Sequence, residues 1–347
     1  MKTTLKNTLD TNKYIPTIGD AYEYIHSRFT PRLPSDAFVL LSGSISRGEG
    51  HPGSDIDLII ISDAFNEHNY LRENWKHFPV DLNITHPATA QMMMEDPDWE
   101  AMIVESSVIM GNRAAGLTFI QNAKKKWQNT ERRRERAQIF LSEVTQILSL
   151  CENVEKPISQ TYLFQASFLG ACALCEIAGI ARTGHFRHMT LVREASEKMA
   201  ASYLFTEYEE YNAGKLETIE IVRDSMKVMS DFINKADNFS VDRDPLLLAS
   251  TNERKMNSLH TTINFLKTNG QLVSAIFVAR RYLLSLIQSL ARSILKLKYD
   301  RSRLTILLLN QIWTALSPKE HIAISEAFPK GTLAKTEHWI KLIEQHL

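Results

Sequence analysis

Leu41-Ser42-Gly43-Ser44-Ile45-Ser46-Arg47-Gly48-Glu49-Gly50-His51-Pro52-Gly53-Ser54-Asp55-Ile56-Asp57-Leu58 is the stretch on which the reading of this chain turns. Just before it, Asp36–Leu41 ends in the apolar run Phe38-Val39-Leu40-Leu41, as a short buried strand does. That strand delivers Gly43-Ser44 to a tight turn, where a missing side chain lets backbone N–H groups approach a ligand. Four glycines fall between Gly43 and Gly53 and a second strand, Asp55–Ser62, follows, so the connection suits a phosphate. Asp55 and Asp57 stand two apart on that strand. Their carboxylates project from one face while Ile56 and Leu58 point into the core. Side-by-side carboxylates repel and need a counter-charge. A divalent cation with oxygen preference supplies it, and Mg²⁺ typically takes one or two carboxylates plus substrate phosphates. A third acid, Asp81, lies in Pro79-Val80-Asp81-Leu82-Asn83-Ile84 on the next strand, Val80–Thr85. Three acids beside a phosphate loop fit two-metal phosphoryl transfer.

Outward from this centre, the first 112 residues alternate short β-type runs with helical ones. Helical spacing covers Ile18–Phe29, with Pro31 and Pro34 behind it, and a further helix is expected over Ala64–His77. Pro87 opens a helix to about Val104, and Ser106–Met110 reads as a last short strand ended by Gly111. Helices between successive strands predict an α+β or α/β domain around one sheet. From Ala114 strand signals almost vanish. Helical segments are expected at Glu131–Cys151, Ser159–Ala181, Thr190–Phe205, Leu216–Phe239, Pro245–Thr268, Gln271–Lys298, Arg301–Leu316 and Leu333–His346. The prediction is two domains: residues 1–112 around a mixed sheet with flanking helices, and residues 113–347 as an all-α helical bundle, in one or two subdomains.

Gly43-Ser44, ten residues, then Asp55-Ile56-Asp57, with Asp81 on a later strand, resembles the DNA polymerase β-like nucleotidyltransferase superfamily. With Arg47-Gly48 and Ser54 added, the stretch is similar to minimal nucleotidyltransferases and aminoglycoside adenylyltransferases. The resemblance covers about residues 36–111. It implies that Asp55 and Asp57 hold metals bridging a nucleotide's phosphates and that Asp81 holds the catalytic metal near an acceptor hydroxyl. It implies phosphate contacts from Gly43 and Ser44, with Arg47 and Ser54 as further candidates. The implied reaction is in-line attack of an acceptor hydroxyl on the α-phosphorus of an NTP, ATP above all, with two Mg²⁺ ions and loss of pyrophosphate. A small molecule such as an antibiotic is the first expectation for the acceptor. A protein side chain or tRNA, as in toxin–antitoxin systems, and a non-catalytic nucleotide sensor are the alternatives.

Composition sets the outer bounds. The chain has 347 residues, 44% hydrophobic and 23% charged, with 13 Gly and 11 Pro, which excludes collagen-like, low-complexity and wholly disordered classes. The zero net charge hides a split. Residues 1–112 carry 8 basic and 16 acidic side chains, and residues 113–347 carry 32 and 24. A uniformly basic nucleic-acid binder is therefore excluded, but the basic half is not. Cys151, Cys172 and Cys175 are too few for a disulfide framework. Cys172-Ala173-Leu174-Cys175 lies in the apolar run Leu163–Ala181, interrupted by Gln165 and Glu176, and reads as a core helix rather than a redox, zinc or membrane segment. With no apolar leader at Met1–Lys6, a cytoplasmic location is expected.

Four further signals have a functional and a plain reading. The basic stretch 124–136 would grip a triphosphate or RNA, or lie solvated between domains. In 280–303, Arg280 and Arg281 sit inside an apolar run, as inward-facing phosphate contacts would. Arg182 through His188 has the spacing of a HEPN-type ribonuclease motif, or is a plain interhelical loop. Glu207, Glu209, Glu210, Glu217, Glu220 and Asp224 would attract a cationic acceptor, or form an exposed helix face. Met92-Met93-Met94 reads as core packing.

Overall fold

The computed structural model describes residues 14–30, 32–181, 186–235, 253–294, 309, 313 and 316–347. Helix α1 (Ile18–Phe29) starts where expected, at a capping box: the Thr17 hydroxyl accepts from the Asp20 N–H and the Asp20 carboxylate accepts from the Thr17 N–H. Strands β1 (Phe38–Ser42), β2 (Ile56–Ile61), β3 (Asn69–Trp75), β4 (Phe78–Thr85) and β5 (Ser107–Gly111) form one sheet in the order β3-β4-β2-β1-β5, and a single helical turn, α2 (Gly43–Ser46), follows β1 directly. Only β2 and β4 pair in parallel, which makes the sheet mixed.

The two faces of the sheet bury different partners. Val39, Leu41, Leu58, Ile60, Val80 and Leu82 pack against Ala21, Tyr24 and Ile25 of α1. Phe38, Leu40, Ile59 and Ile61 pack on the other side, against α3 (Pro87–Met93), α4 (Pro97–Val104) and α5 (Arg113–Gln128). Asp57 and Asp81 belong to this second face by strand alternation. They sit at its end, beyond the last apolar layer.

The structure replaces the helix expected over Ala64–His77 with strand β3. A two-residue turn, Lys76-His77, joins it to β4, and Lys76 takes left-handed backbone at φ 53°. Tertiary contacts hold this strand. The Trp75 ring meets Tyr24 edge-on at 5.8 Å, and Arg28 of α1 pairs with Glu73 at 2.8 Å. The helix expected from Pro87 to Val104 is two helices. His86 Nδ1 accepts from the Ala88 N–H at 3.1 Å to cap the first, and Asp96 caps the second just before Pro97.

The rest is helical: α6 (Thr130–Cys151), α7 (Lys156–Ala178), α8 (His188–Lys198), α9 (Ser202–Asn212), α10 (Leu216–Lys235), α11 (Glu253–Thr268), α12 (Leu272–Ile294), α13 (Pro318–Ala327) and α14 (Leu333–Glu344). Three departures stand out. Helices α5 and α13 were not foreseen, and the segment expected at Thr190–Phe205 breaks at Ala200, which has φ 53°. The segment expected at Arg301–Leu316 lies almost wholly outside the described residues. Helices Lys156–Ala178 and Leu272–Leu290 are long and apolar enough to cross a membrane, yet 94% and 67% of their apolar windows are buried in the protein. The first is the central core helix, as read from the sequence, and Cys172 and Cys175 lie buried and free within it.

Candidate active site

The register of the sheet builds the acidic centre. Parallel pairing sets Asp57 beside Asp81, and Asp55 precedes β2 by one residue. One carboxylate oxygen from each of Asp55, Asp57 and Asp81 lies within 4.8 Å of the others. Burial, then the charges of Asp55 and Asp81, push the Asp57 carboxyl well above the usual carboxylate range. Gly43 shows how tight the corner is. Its φ is +71°, and a Cβ there would stand 2.2 Å from Asp57 Oδ2. Only glycine permits the turn and the carboxylate together.

The loop between β1 and β2 is held by its own serines and by the helical region. Ser44 Oγ donates to Ser54 Oγ at 3.0 Å, and Ser54 Oγ accepts from the His51 N–H at 3.0 Å. Ser258 of α11 donates to the carbonyl of Gly53, whose φ of +97° and contact with Thr262 leave no room for a side chain. The His51 ring stacks on Phe186 at 4.1 Å and on Phe265 of α11 at 5.8 Å. Phe186 and Phe265 also meet each other at 6.0 Å, so the three rings form one cluster, and burial there lowers the pKa of His51.

Arg47 lies in an ion cluster. It donates to Glu49 at 2.8 Å and to Glu105 at 2.9 Å, and Arg187 approaches the same two acids at 3.3 and 3.9 Å. Its charge still acts on Asp57. The cation nearest the acids is instead Arg72 of β3, which the sequence reading had placed in a helix. Arg72 is the register partner of Asp81; Nε stands 3.3 Å from Asp81 Oδ1, and Nη2 4.0 Å from Asp55 Oδ2. The alternation Tyr70, Arg72, Asn74 in β3 was the available signal, since it puts all three on the acid face. Burial and then Asp81 push the Tyr70 phenol up.

One guanidinium among three carboxylates leaves negative charge over. The donor set is all oxygen, and it sits beside the Gly43-Ser44 turn, so these residues fit a divalent cation of the Mg²⁺ kind.

The other candidates resolve differently. In the stretch 124–136, Lys126 pairs with Glu95, Arg132 with Glu95, Glu100 and Glu135, and fully buried Arg136 with Glu100 at 3.2 Å and Glu176 at 2.7 Å. This is a brace between the two regions, with Lys124, Lys125 and Arg134 exposed. Arg280 and Arg281 are both buried and held by protein groups. The first donates to helix-end carbonyls, and the second to Gln165 while lying over the Phe168 ring at 3.9 Å. Arg292, Lys296, Lys298, Arg301 and Arg303 lie outside the residues whose side chains are described. So do Arg182 and His185. His188 is a core residue, bonded through Nε2 to the Tyr208 hydroxyl at 2.9 Å and stacked on Phe277. Within the methionine run, Met94 is core, but Met92 is 67% exposed. Of the acidic stretch, Glu209 pairs with Arg193 and Glu220 with Arg223.

Residues 25–93 match the family model of the nucleotidyltransferase domain, a span that holds Gly43, Ser44, Asp55, Asp57 and Asp81. No curated protein matches the chain at a significant level. Among solved structures, the chain is similar to a nucleotidyltransferase-like protein from Exiguobacterium sibiricum 255-15, at 11% identity and a TM-score of 0.31, over 84% of this chain and 88% of that one. The chain therefore contains a nucleotidyltransferase domain, matched over residues 25–93, and that domain carries Asp55, Asp57 and Asp81.

Proposed function

We propose that the chain transfers an NMP, AMP in the first place, from an NTP to a hydroxyl of a small molecule and releases pyrophosphate. The observation that carries the reading is the convergence of Asp55, Asp57 and Asp81 beside the Gly43-Ser44 turn. In this reading residues 1–112 are the catalytic domain and residues 113–347 the helical domain that closes over the substrates. Asp55 and Asp57 hold the metal side of the triphosphate, and Asp81 orients the acceptor end. When bound, two Mg²⁺ ions would neutralise the phosphates and lower the pKa of the acceptor hydroxyl. The Gly43 and Ser44 N–H groups and the Ser44 and Ser54 hydroxyls bind phosphate oxygens, and Arg47 stiffens the loop from its acid cluster. Fixed donors of this kind cost little reorganisation as charge develops on the phosphate. Arg72 shields Asp55 and Asp81 from each other before substrates arrive.

A cleft of about 420 Å³ supports a small acceptor. It is lined by Ser54, Asn74, Pro79, Asn257, Ser258 and Thr261 among others, and Asn74 and Pro79 share the sheet face of Arg72 and Asp81. Most of its donors are neutral hydroxyls and amides, which suit a hydroxyl-rich molecule. The ion pairs that occupy Lys126, Arg132 and Arg136 weigh against that stretch as an RNA grip, and the intact acids weigh against a mere sensor. Three free, buried cysteines are in keeping with work in the reducing cytoplasm.

The test is a panel of four α-labelled NTPs with Mg²⁺, each offered small-molecule hydroxyl acceptors, total tRNA and cell lysate. Label from ATP on a small molecule supports the reading. Label confined to tRNA or protein replaces the acceptor, and no transfer to any fraction removes the activity.

A further inference from the structure

The helical region holds a second cleft, about 870 Å³, whose lining includes none of the three acids. It opens between α9, the start of α10 and the turn from α13 into α14. Arg280 lines its deep side and is 4% exposed. Among the described residues no carboxylate pairs with it. Nε donates to the Ala327 carbonyl and Nη1 to the Asn212 carbonyl, each at 3.0 Å. These carbonyls end α13 and α9, so the guanidinium is fixed in place by partial charges only. Burial pushes its pKa down to about 10, the mark of a cation short of a counter-charge. Its remaining nitrogen, Nη2, has no protein acceptor among the described residues.

Beside Arg280 lies the buried Tyr211 hydroxyl, with Ser167 near it on the same lining. The first turn of α14, Thr332 to Lys335, faces the same space and adds backbone N–H groups at the positive end of a 12-residue helix. Lys330 and Lys335 share the exposed opening with Glu207, Glu210 and Glu326 and make no ion pair among the described residues, so the charge of the mouth is mixed and the buried guanidinium is the one cation at depth on the lining. Tyr208, Phe328 and Trp339, all buried, supply an apolar wall. A volume near 900 Å³ with an apolar wall and a few converging donors is that of a small-molecule site.

We propose that this cleft is a second ligand site, for a small organic anion whose carboxylate or phosphate monoester meets Arg280, the Tyr211 hydroxyl and the first turn of α14 while its apolar body lies on the aromatic wall. The site is separate from the acids. Tyr282 stands two residues beyond Arg280, about 200° round α12, and its phenol feels the charge of Arg72 of β3.

Calorimetric titration of the full-length protein in EDTA, which keeps divalent ions away from the acids, tests this with indole-3-acetate, phenyl phosphate and neutral indole-3-acetamide. Binding of either anion with Kd below about 1 mM, at least tenfold tighter than the amide, is the expected result. The tighter of the two anions distinguishes a carboxylate site from a phosphate site. Ala334→Trp fills the cleft from an exposed position and should abolish binding, with thermal unfolding unchanged. Tyr211→Phe should weaken binding several-fold, whereas Asp57→Asn should leave it as it was, so the result does not depend on the transfer reaction. Amide binding as tight as the acids, no anion binding, or unaltered binding to Ala334→Trp would overturn the proposal.

Discussion

Two groups of charge are enclosed in this protein, and they are built to opposite rules. Around Arg136 the account nearly closes. Glu100 and Glu176 flank a fully buried guanidinium that also stacks on Trp127 at 3.8 Å, and Arg132 adds a second cation. At the sheet end three carboxylates share one nearby guanidinium, that of Arg72, and Asp57 is pushed up as a result. Nothing distinguishes the residue types. The difference lies in the sign left over: a neutralised group braces helices, whereas a group with surplus negative charge is ready for a cation that the chain does not supply.

The sharpest way to break this comparison is to remove one acid from each group's logic. Asp57→Asn or Asp55→Asn should lower NMP transfer by at least about 10³-fold. It should not lower the melting temperature, because a repelling charge is gone; turnover with labelled NTP and thermal unfolding measure the two sides. Full activity in both variants would remove the surplus-charge account. Arg136→Met should do the reverse. Stranding Glu100 and Glu176 should cost about 3–5 kcal/mol in urea unfolding, with turnover per folded molecule close to that of the parent. A loss under 1 kcal/mol would mean that those acids find other partners or protons at little cost.

Arg72→Met probes the boundary between the two designs, since it takes away the nearest partial neutralisation at the acids. Mg²⁺ or Mn²⁺ titrated into the variant should bind about three- to tenfold tighter, because the guanidinium no longer competes for Asp81 and Asp55. Weaker metal binding would instead make Arg72 a scaffold for the acids. The smallest effect belongs to His51. Its folded pKa is lowered by burial from about 6.5, so the unfolded chain binds more protons between the two values. Its contribution is therefore complete above pH 6.5 and is lost as pH falls from there through the lowered value. Between pH 7.5 and 5.5 the parent should lose more stability than His51→Gln, read from urea midpoints; an equal loss would mean that the ring titrates alike folded and unfolded.

Most of the acidic centre was legible because it is local. Gly43-Ser44 and Asp55-Ile56-Asp57 lie within fifteen residues, and alternation along a strand fixes which side chains share a face. Asp81 was legible as a lone acid between Val80 and Leu82 on a buried strand. Arg72 was not. As an edge strand with Tyr70 and Leu71 both exposed, β3 carries no clean alternation of apolar and polar residues, and its polar run imitates a solvated helix. The break at Asp96-Pro97 and the helix α13 escaped for a similar reason: short elements are defined by caps more than by period.

The sequence by itself determined a mixed sheet that presents three acids and a glycine turn, then a long helical region, because these follow from spacing within single elements. Which charges are satisfied was decided only by the tertiary structure. Arg136 meets Glu100 from 36 positions away and Glu176 from 40, Arg47 meets Glu105 across 58, and Arg280 meets carbonyls but no acid among the described residues. A charged side chain reads the same in a string whether it is paired or not. Its partner comes from another element, and burial determines how much an unpaired charge costs.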